Sequence, residues 1–279
     1  MKTAIVTDST AYIPKEVRES LHIHMIPLSV TFGNETYREE IDIDAEQFFT
    51  EVKQHKHLPT TSQPPTGAFV ELFESLRKEY DAIISIHLSS GISGTYQGAV
   101  TAGTMVDVPV YPYDSEISCM AQGFYVIEAA KMALAGHPPE AILARLEEIK
   151  QTMRAYFMVD DLIHLQRGGR LSGAQAFIGS LLQVKPLLHF ENKVIVPFEK
   201  IRTRKKAIKR IEELLAQDAE RGVPLKAAII HANRLEEATA WKDELAAQYP
   251  NVEFTISYFG PVIGTHLGEG ALGLAWYRP

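Results

Sequence analysis

Two rhythms of apolar residues alternate along the first half of the chain. Short, β-branched runs read as buried strands: "TAIVT" (Thr3–Thr7), "HMIPLSVTF" (His24–Phe32), "DAIISIHL" (Asp81–Leu88) and "VPVYPYD" (Val108–Asp114). Between them the spacing is helical. In "PTGAFVELFESLRKEY" Phe69, Leu72, Phe73 and Leu76 recur three and four apart, which gives one apolar face. Pro14 opens a helical turn in "IPKEVRESL", and Asp44 is a good N-cap for "DAEQFFTEVKQ". "TYQGAVTAGTMV", "MAQGFYVIEAAKMALA" and "PPEAILARLEEIKQTM" read as further helices. Strands alternating with helices predict βαβ units and a mainly parallel sheet.

Beyond about residue 155 the pattern changes. "AYFMVDDLIHLQRGGRLSGAQAFIGSLLQ" reads as strand, short helix, glycine break and helix, and "VKPLLHFENKVIVPFEKI" as a hairpin turning at "ENK". A helix follows with Ile208, Ile211 and Leu215 on one side, and then "KAAIIHAN", "LEEATAWKDELAAQ" and "VEFTISYF" continue as strand, helix, strand. The expectation is an α/β protein of two α/β domains, 1–155 and 156–279. The first has a mainly parallel sheet and the second a mixed one, with no tandem repeat and no low-complexity linker between them.

Composition narrows the function. At 279 residues, 46% hydrophobic and 23% charged, the chain can build its own core without metals or disulfides. A single cysteine, Cys119, excludes an internal disulfide, and a net charge of −7 argues against general nucleic-acid binding. The N-terminus reaches Asp8 after a few apolar residues, too few for a signal peptide or a membrane span. That predicts a soluble cytoplasmic protein.

The segment "HLSSGISGTYQGAV" (His87–Val100) poses the chemical question. A strand, a Ser/Gly loop and a helix place Ser89–Thr95 at the carboxyl end of a strand, where open parallel sheets bind ligands. Free N–H groups at the helix start favour an anion there, although a serine-rich cap and turn with no ligand would explain the loop equally. "GISGT" lacks the last glycine of the G-x-S-x-G nucleophile elbow, so an acyl hydrolase using Ser93 with His266 is a rival rather than the first reading. "GEGALG" (Gly268–Gly273) fits G-x-G-x-x-G in letters, but too little chain follows it for a dinucleotide fold, and it reads as a tight-packing turn. No metal-binding spacing occurs, and "DIDAE" reads as a helix cap. "LPTTSQPPTGAF" reads as a capped helix start stiffened by Pro64 and Pro65. Arg167 and Arg170, beside paired glycines, suit a carboxylate or phosphate.

Taken in order, "VTDST", "TTSQPP", "HLSSGISGTYQGA", "LQRGGRLSG", "KPLL" and "GPVIGTHLGEGALG" resemble the DegV family of bacterial fatty-acid-binding proteins along the whole chain. The resemblance implies a long-chain fatty acid, such as palmitate, held between two α/β domains. It also implies a FakB-type carrier in phospholipid metabolism. Such a carrier has no catalytic residues or cofactor of its own, and a separate ATP-dependent fatty acid kinase subunit phosphorylates the bound carboxylate to an acyl phosphate. On matching positions it implies that Thr61 and Ser93 hydrogen-bond the carboxylate, with Arg170 and His266 completing the polar network. A tail of sixteen or so methylenes at about 0.8 kcal/mol each would contribute on the order of 12 kcal/mol before binding costs. Phe177, Ile178, Leu181 and Leu182 are expected to line the tunnel or simply to pack the core. A small-molecule sensor of another acid is a further alternative.

One more feature is local. "EKIRTRKKAIKR" holds seven of the chain's 28 basic residues between Lys200 and Arg210. A solvated helix face explains it. So does a docking surface on Arg202, Arg204 and Lys205 for an acidic kinase partner, or transient contact with an anionic membrane surface.

Overall fold

A computed structural model describes residues 1–55, 57–172 and 186–279. The first half builds a four-stranded, all-parallel sheet in the order β2-β1-β6-β7. Its strands are β1 (Thr3–Asp8), β2 (Ile23–Ile26), β6 (Ala82–His87) and β7 (Val110–Asp114). Strands β1 and β6 are buried at every residue, which is why they read as unbroken apolar runs. Helices α1 (Lys15–Ser20), α3 (Thr66–Leu76), α4 (Thr95–Gly103), α5 (Cys119–Leu134) and α6 (Pro139–Thr152) connect or cover them. Phe69, Phe73 and Leu76 bury the predicted face of α3 against Ala4, Val6 and Ile83.

"HMIPLSVTF" is two strands rather than one. Pro27 has no N–H to continue a ladder, and the chain changes sheets there. After β2, β3 (Ser29–Phe32) pairs antiparallel with β4 (Glu35–Arg38) and β5 (Thr60–Ser62) in a separate three-stranded sheet. Helix α2 (Ala45–Gln54) follows Asp44, whose side chain accepts from Gln47 N while Gln47 reaches back, a complete capping box.

The second half forms a mixed six-stranded sheet in the order β10-β9-β8-β13-β11-β12. It opens with β8 (Arg154–Met158) and the short helix α7 (Ile163–Arg167). The hairpin β9 (Leu187–Glu191) and β10 (Val194–Glu199) turns through Asn192 and Lys193, both at positive φ. Helix α8 (Arg204–Ala219), β11 (Leu225–His231), α9 (Leu235–Gln248) and β12 (Val252–Tyr258) complete the expected order. Two elements of this half have no counterpart in the sequence reading: α10 (Pro261–Leu267) and β13 (Leu272–Tyr277). Strand β13 is fully buried between β8 and β11. "GEGALG" is thus the turn leading into a central strand. Gly268 and Gly270 have φ of +76° and +89°, and a Cβ on Gly270 would lie 2.1 Å from the Asp160 carboxylate. The proposed tunnel residues Phe177, Ile178, Leu181 and Leu182 lie outside the described residues.

Candidate functional site

A cavity of about 290 Å³ lies between the two large sheets, close to the lower end of the ~300–1,000 Å³ range of small-molecule sites. One wall comes from β8 and β13 (Phe157, Leu274), another from the β9–β10 hairpin (Phe190, Ile195), and the opposite side from Leu88 and Ile117. Most of the lining is apolar. Among its polar lining residues are Thr61, Gln63, Ser93, Arg170 and His266.

Each of these groups arrives by a different route. Thr61 sits on β5, paired with Val30 of β3. Ser93 lies in the loop between β6 and α4, at the carboxyl end of the parallel sheet. The other loop serines are structural. Ser89 Oγ donates to Lys193 O at 2.6 Å, and Ser90 Oγ donates to Asp114 at 2.5 Å. Ser93 Oγ accepts from Thr95 N at 3.2 Å and shares a 2.8 Å hydrogen bond with Thr95 Oγ1, at the start of α4. Arg170 follows α7; its Nε donates to Ile92 O at 3.2 Å and its Nη1 to Gly168 O, so the guanidinium is braced on backbone carbonyls. His266 comes from α10, and its Nε2 shares a 2.9 Å hydrogen bond with Thr61 Oγ1.

His266 Nδ1 is buried and has no partner among the described residues. Burial, with the Arg170 guanidinium and His164 nearby, lowers the imidazole pKa to about 4, so the ring is neutral at physiological pH. The paired glycines of "RGGR" have a local reason. A Cβ on Gly168 would lie 2.2 Å from His266 Nδ1, and Gly169 takes φ +67°. A Cβ on Gly94 would likewise strike Gln63 Oε1 at 2.1 Å. No sequence signal marks Gln63; the adjoining "TTS" reads as a helix start, whereas Thr61 stands on a strand. On the far side of Thr61, Arg170 and His266 lies a second cavity of about 390 Å³, lined also by His57, His164 and Arg167 and, among the described residues, by no acidic one.

The arrangement suits an anion with an apolar tail. It does not suit acyl hydrolysis. Among the described residues no hydrogen bond joins Ser93 to His266: Ser93 engages Thr95, His266 engages Thr61, and no carboxylate orients Nδ1. A Ser–His–Asp chain does occur elsewhere. Ser85 Oγ lies 2.6 Å from His87 Nε2, and His87 Nδ1 lies 3.0 Å from Asp8 Oδ2, but all three residues are fully buried in the first sheet.

The basic run divides. Arg202 and Lys205 are exposed. Arg204 turns inward instead: it forms a forked pair with Glu237 at 2.9 and 2.7 Å, reaches Asp160 at 3.2 Å, and donates to Gly270 O at 2.7 Å. Its expected place on a docking surface is therefore corrected to an internal clamp between α8, α9 and the turn before β13. Among the described residues no helix is long and apolar enough to cross a membrane.

A mixed α/β fold with a largely apolar cavity between its two large sheets and a cluster of polar groups in its lining defines a class of binding protein. Residues 2–279 match the profile described as uncharacterised protein, DegV family, and the chain belongs to the DegV family. Protein DegV of Bacillus subtilis (strain 168) is 68% identical over 278 residues, covering 99% of each chain. A solved structure of DegV, described as a fatty acid binding protein from Bacillus subtilis, superposes with a TM-score of 0.96 at 67% identity over 100% of both chains. A DegV family protein from Thermus thermophilus, whose structure is described for its fatty acid binding, gives 0.93 at 32% identity, again over 100% of both chains.

Proposed function

We propose that this protein binds a long-chain fatty acid, with its tail in the cavity between the sheets and its carboxylate at Thr61, Ser93, Arg170 and His266. The observation that carries this reading is the make-up of one cavity: a mostly apolar lining together with two hydroxyls, a guanidinium and a half-satisfied imidazole, the imidazole bonded to one of the hydroxyls. A carboxylate placed there gains charge-assisted hydrogen bonds, and the buried tail supplies most of the affinity. The fatty acid binding described for the Bacillus subtilis and Thermus thermophilus relatives supports it.

We further read the protein as a carrier without catalytic residues. The carboxylate would face the second cavity, whose described lining carries Arg167 and Arg170 and no acidic residue, so a separate ATP-dependent kinase subunit can reach it and form the acyl phosphate. Arg202 and Lys205 are the exposed cations for docking that partner or for brief contact with an anionic membrane surface. Mass spectrometry of lipid extracted from purified protein tests the ligand: near-stoichiometric long-chain fatty acid is expected, and protein recovered empty from a lipid-containing host refutes it. The carrier role predicts acyl phosphate only when ATP and the kinase subunit are both added.

A further inference from the structure

We propose that Glu39 is a positioning residue for the head-group pair: its side chain fixes the N-terminus of α10 and thereby holds His266 in register with Thr61. The inference rests on the reading of Thr61 and His266 as head-group ligands. Glu39 is fully buried, and no Lys or Arg lies among the partners its carboxylate has in the described residues. Three donors converge on it instead. Val262 N donates at 2.7 Å, Tyr12 OH at 2.8 Å and Ser9 Oγ at 2.5 Å.

Val262 is the first residue of α10 with an N–H to give, because Pro261 has none. The N–H after it, of Ile263, donates to Tyr12 OH at 3.3 Å. Gly260, the N-cap residue, has no side chain and lies flat on the Tyr12 ring, where a Cβ would be 2.3 Å from Cε1. Both free N–H groups at the start of α10 thus go to the Glu39–Tyr12 pair. His266 lies one turn beyond Val262, on the same side of the helix.

The same network sets the other partner. Ser9 Oγ, while donating to Glu39, accepts from Leu28 N at 3.0 Å, and Glu39 N donates to Leu28 O at 2.9 Å. Leu28 leads directly into β3, and β3 carries β5 with Thr61. One carboxylate therefore references both the strand that presents Thr61 and the helix that presents His266. Neither side chain touches it. Glu39→Gln preserves size but puts an NH₂ where a second acceptor is needed: Ser9 and Tyr12 each already accept a backbone N–H and so present their protons to Glu39.

The test uses the delipidated full chain and two probes of equal length, palmitic acid and hexadecanol. Only the acid draws on a correctly set anion site. Glu39→Gln is expected to weaken palmitic acid by about tenfold, the scale of one hydrogen bond to a charged group, and hexadecanol by less than about twofold. Tyr12→Phe, which keeps the ring against Gly260, is expected to shift the same ratio in the same direction by less. In a His266→Ala background Glu39→Gln should cost less for the acid than it does in the wild type, because only its hold on the Thr61 strand is left to lose. Equal losses for acid and alcohol, or additive losses in the double variant, would overturn the proposal. Nitrogen resonances of the His266 ring in ligand-free protein provide an arm independent of binding. They should move in Glu39→Gln, and unchanged resonances also overturn it. Wild-type protein that takes up neither probe breaks the fatty-acid reading instead, and the ring resonances still decide the role of Glu39.

Discussion

His87 and His266 both lie beside hydroxyl groups, and they differ in how completely their ring nitrogens are satisfied. His87 has a partner on each ring nitrogen, Asp8 on one and Ser85 on the other, and no access to solvent. Asp8 in turn accepts from Leu88 N and Gln122 Nε2 at 3.0 and 3.1 Å and from Thr10. Every polar atom in that chain is satisfied, so it can only hold β1, β6 and α5 together. His266 has one partner and one buried, unpartnered nitrogen at the edge of a cavity. The constellation that resembles a catalytic triad is the inert one. Incomplete hydrogen bonding next to open volume marks the site more reliably than the identity of the residues.

The contrast is tested most severely by removing the carboxylate of the satisfied network. Asp8→Ala strands several buried donors, each costing about 1–3 kcal/mol, so a loss of at least about 4 kcal/mol is expected. Chemical denaturation, or failure to recover folded protein, reads this out. A variant that unfolds at the wild-type denaturant concentration would show that the network is not structural.

The opposite outcome is expected at the cavity. Ser93→Ala and Thr61→Ala keep the fold of the ligand-free chain, while each weakens fatty-acid retention by roughly 1.5–3 kcal/mol, about ten- to 150-fold. Competition binding and thermal melts of the same preparations separate the two effects. Unchanged lipid occupancy in the double variant would remove both hydroxyls from the head-group site.

Much of this was legible in the chain. The buried strands β1 and β6 and the striped helix α3 show their burial in their periodicity, and Thr61, Ser93, Arg170 and His266, named through the family resemblance, all line one cavity. What escaped has physical reasons. Strands β4 and β5 are short, partly exposed and polar, so "ETYR" and "TTS" carry no alternation strong enough to mark them. Strand β13 hides behind glycines demanded by the turn before it. The Glu39 network joins residues 9, 12, 39 and 262, which no local spacing connects.

Acid sharpens the comparison from another side. The ordinary histidine value is 6.5, and the native His266 value is about 4. Between these limits the unfolded chain binds a proton that the native chain does not, so ligand-free protein should lose stability as pH falls from 6.5 toward 4, on the order of 3 kcal/mol in all. His266→Asn should flatten that limb. Denaturation series at stepped pH read this limb.

The smallest effect concerns the basic run, where the same rule divides neighbours. Arg204 is satisfied by Glu237, Asp160 and Gly270 O, whereas Arg202 and Lys205 extend from the surface. By the logic that separates His87 from His266, Arg204 holds the fold and its neighbours are free to meet a partner. Arg204→Ala should therefore lower the melting temperature, because it leaves Glu237 and the Gly270 carbonyl without their donor. The double change Arg202→Glu, Lys205→Glu should leave melting and fatty-acid binding at wild-type values. It should slow acyl-phosphate formation with the kinase subunit several-fold at low ionic strength, since reversed rim charges act mainly on the rate of encounter. The deficit should close as salt approaches physiological strength and above, where screening over about 8 Å has already weakened the wild-type attraction. If the double variant matches wild type in low salt, Arg202 and Lys205 are only a solvated face.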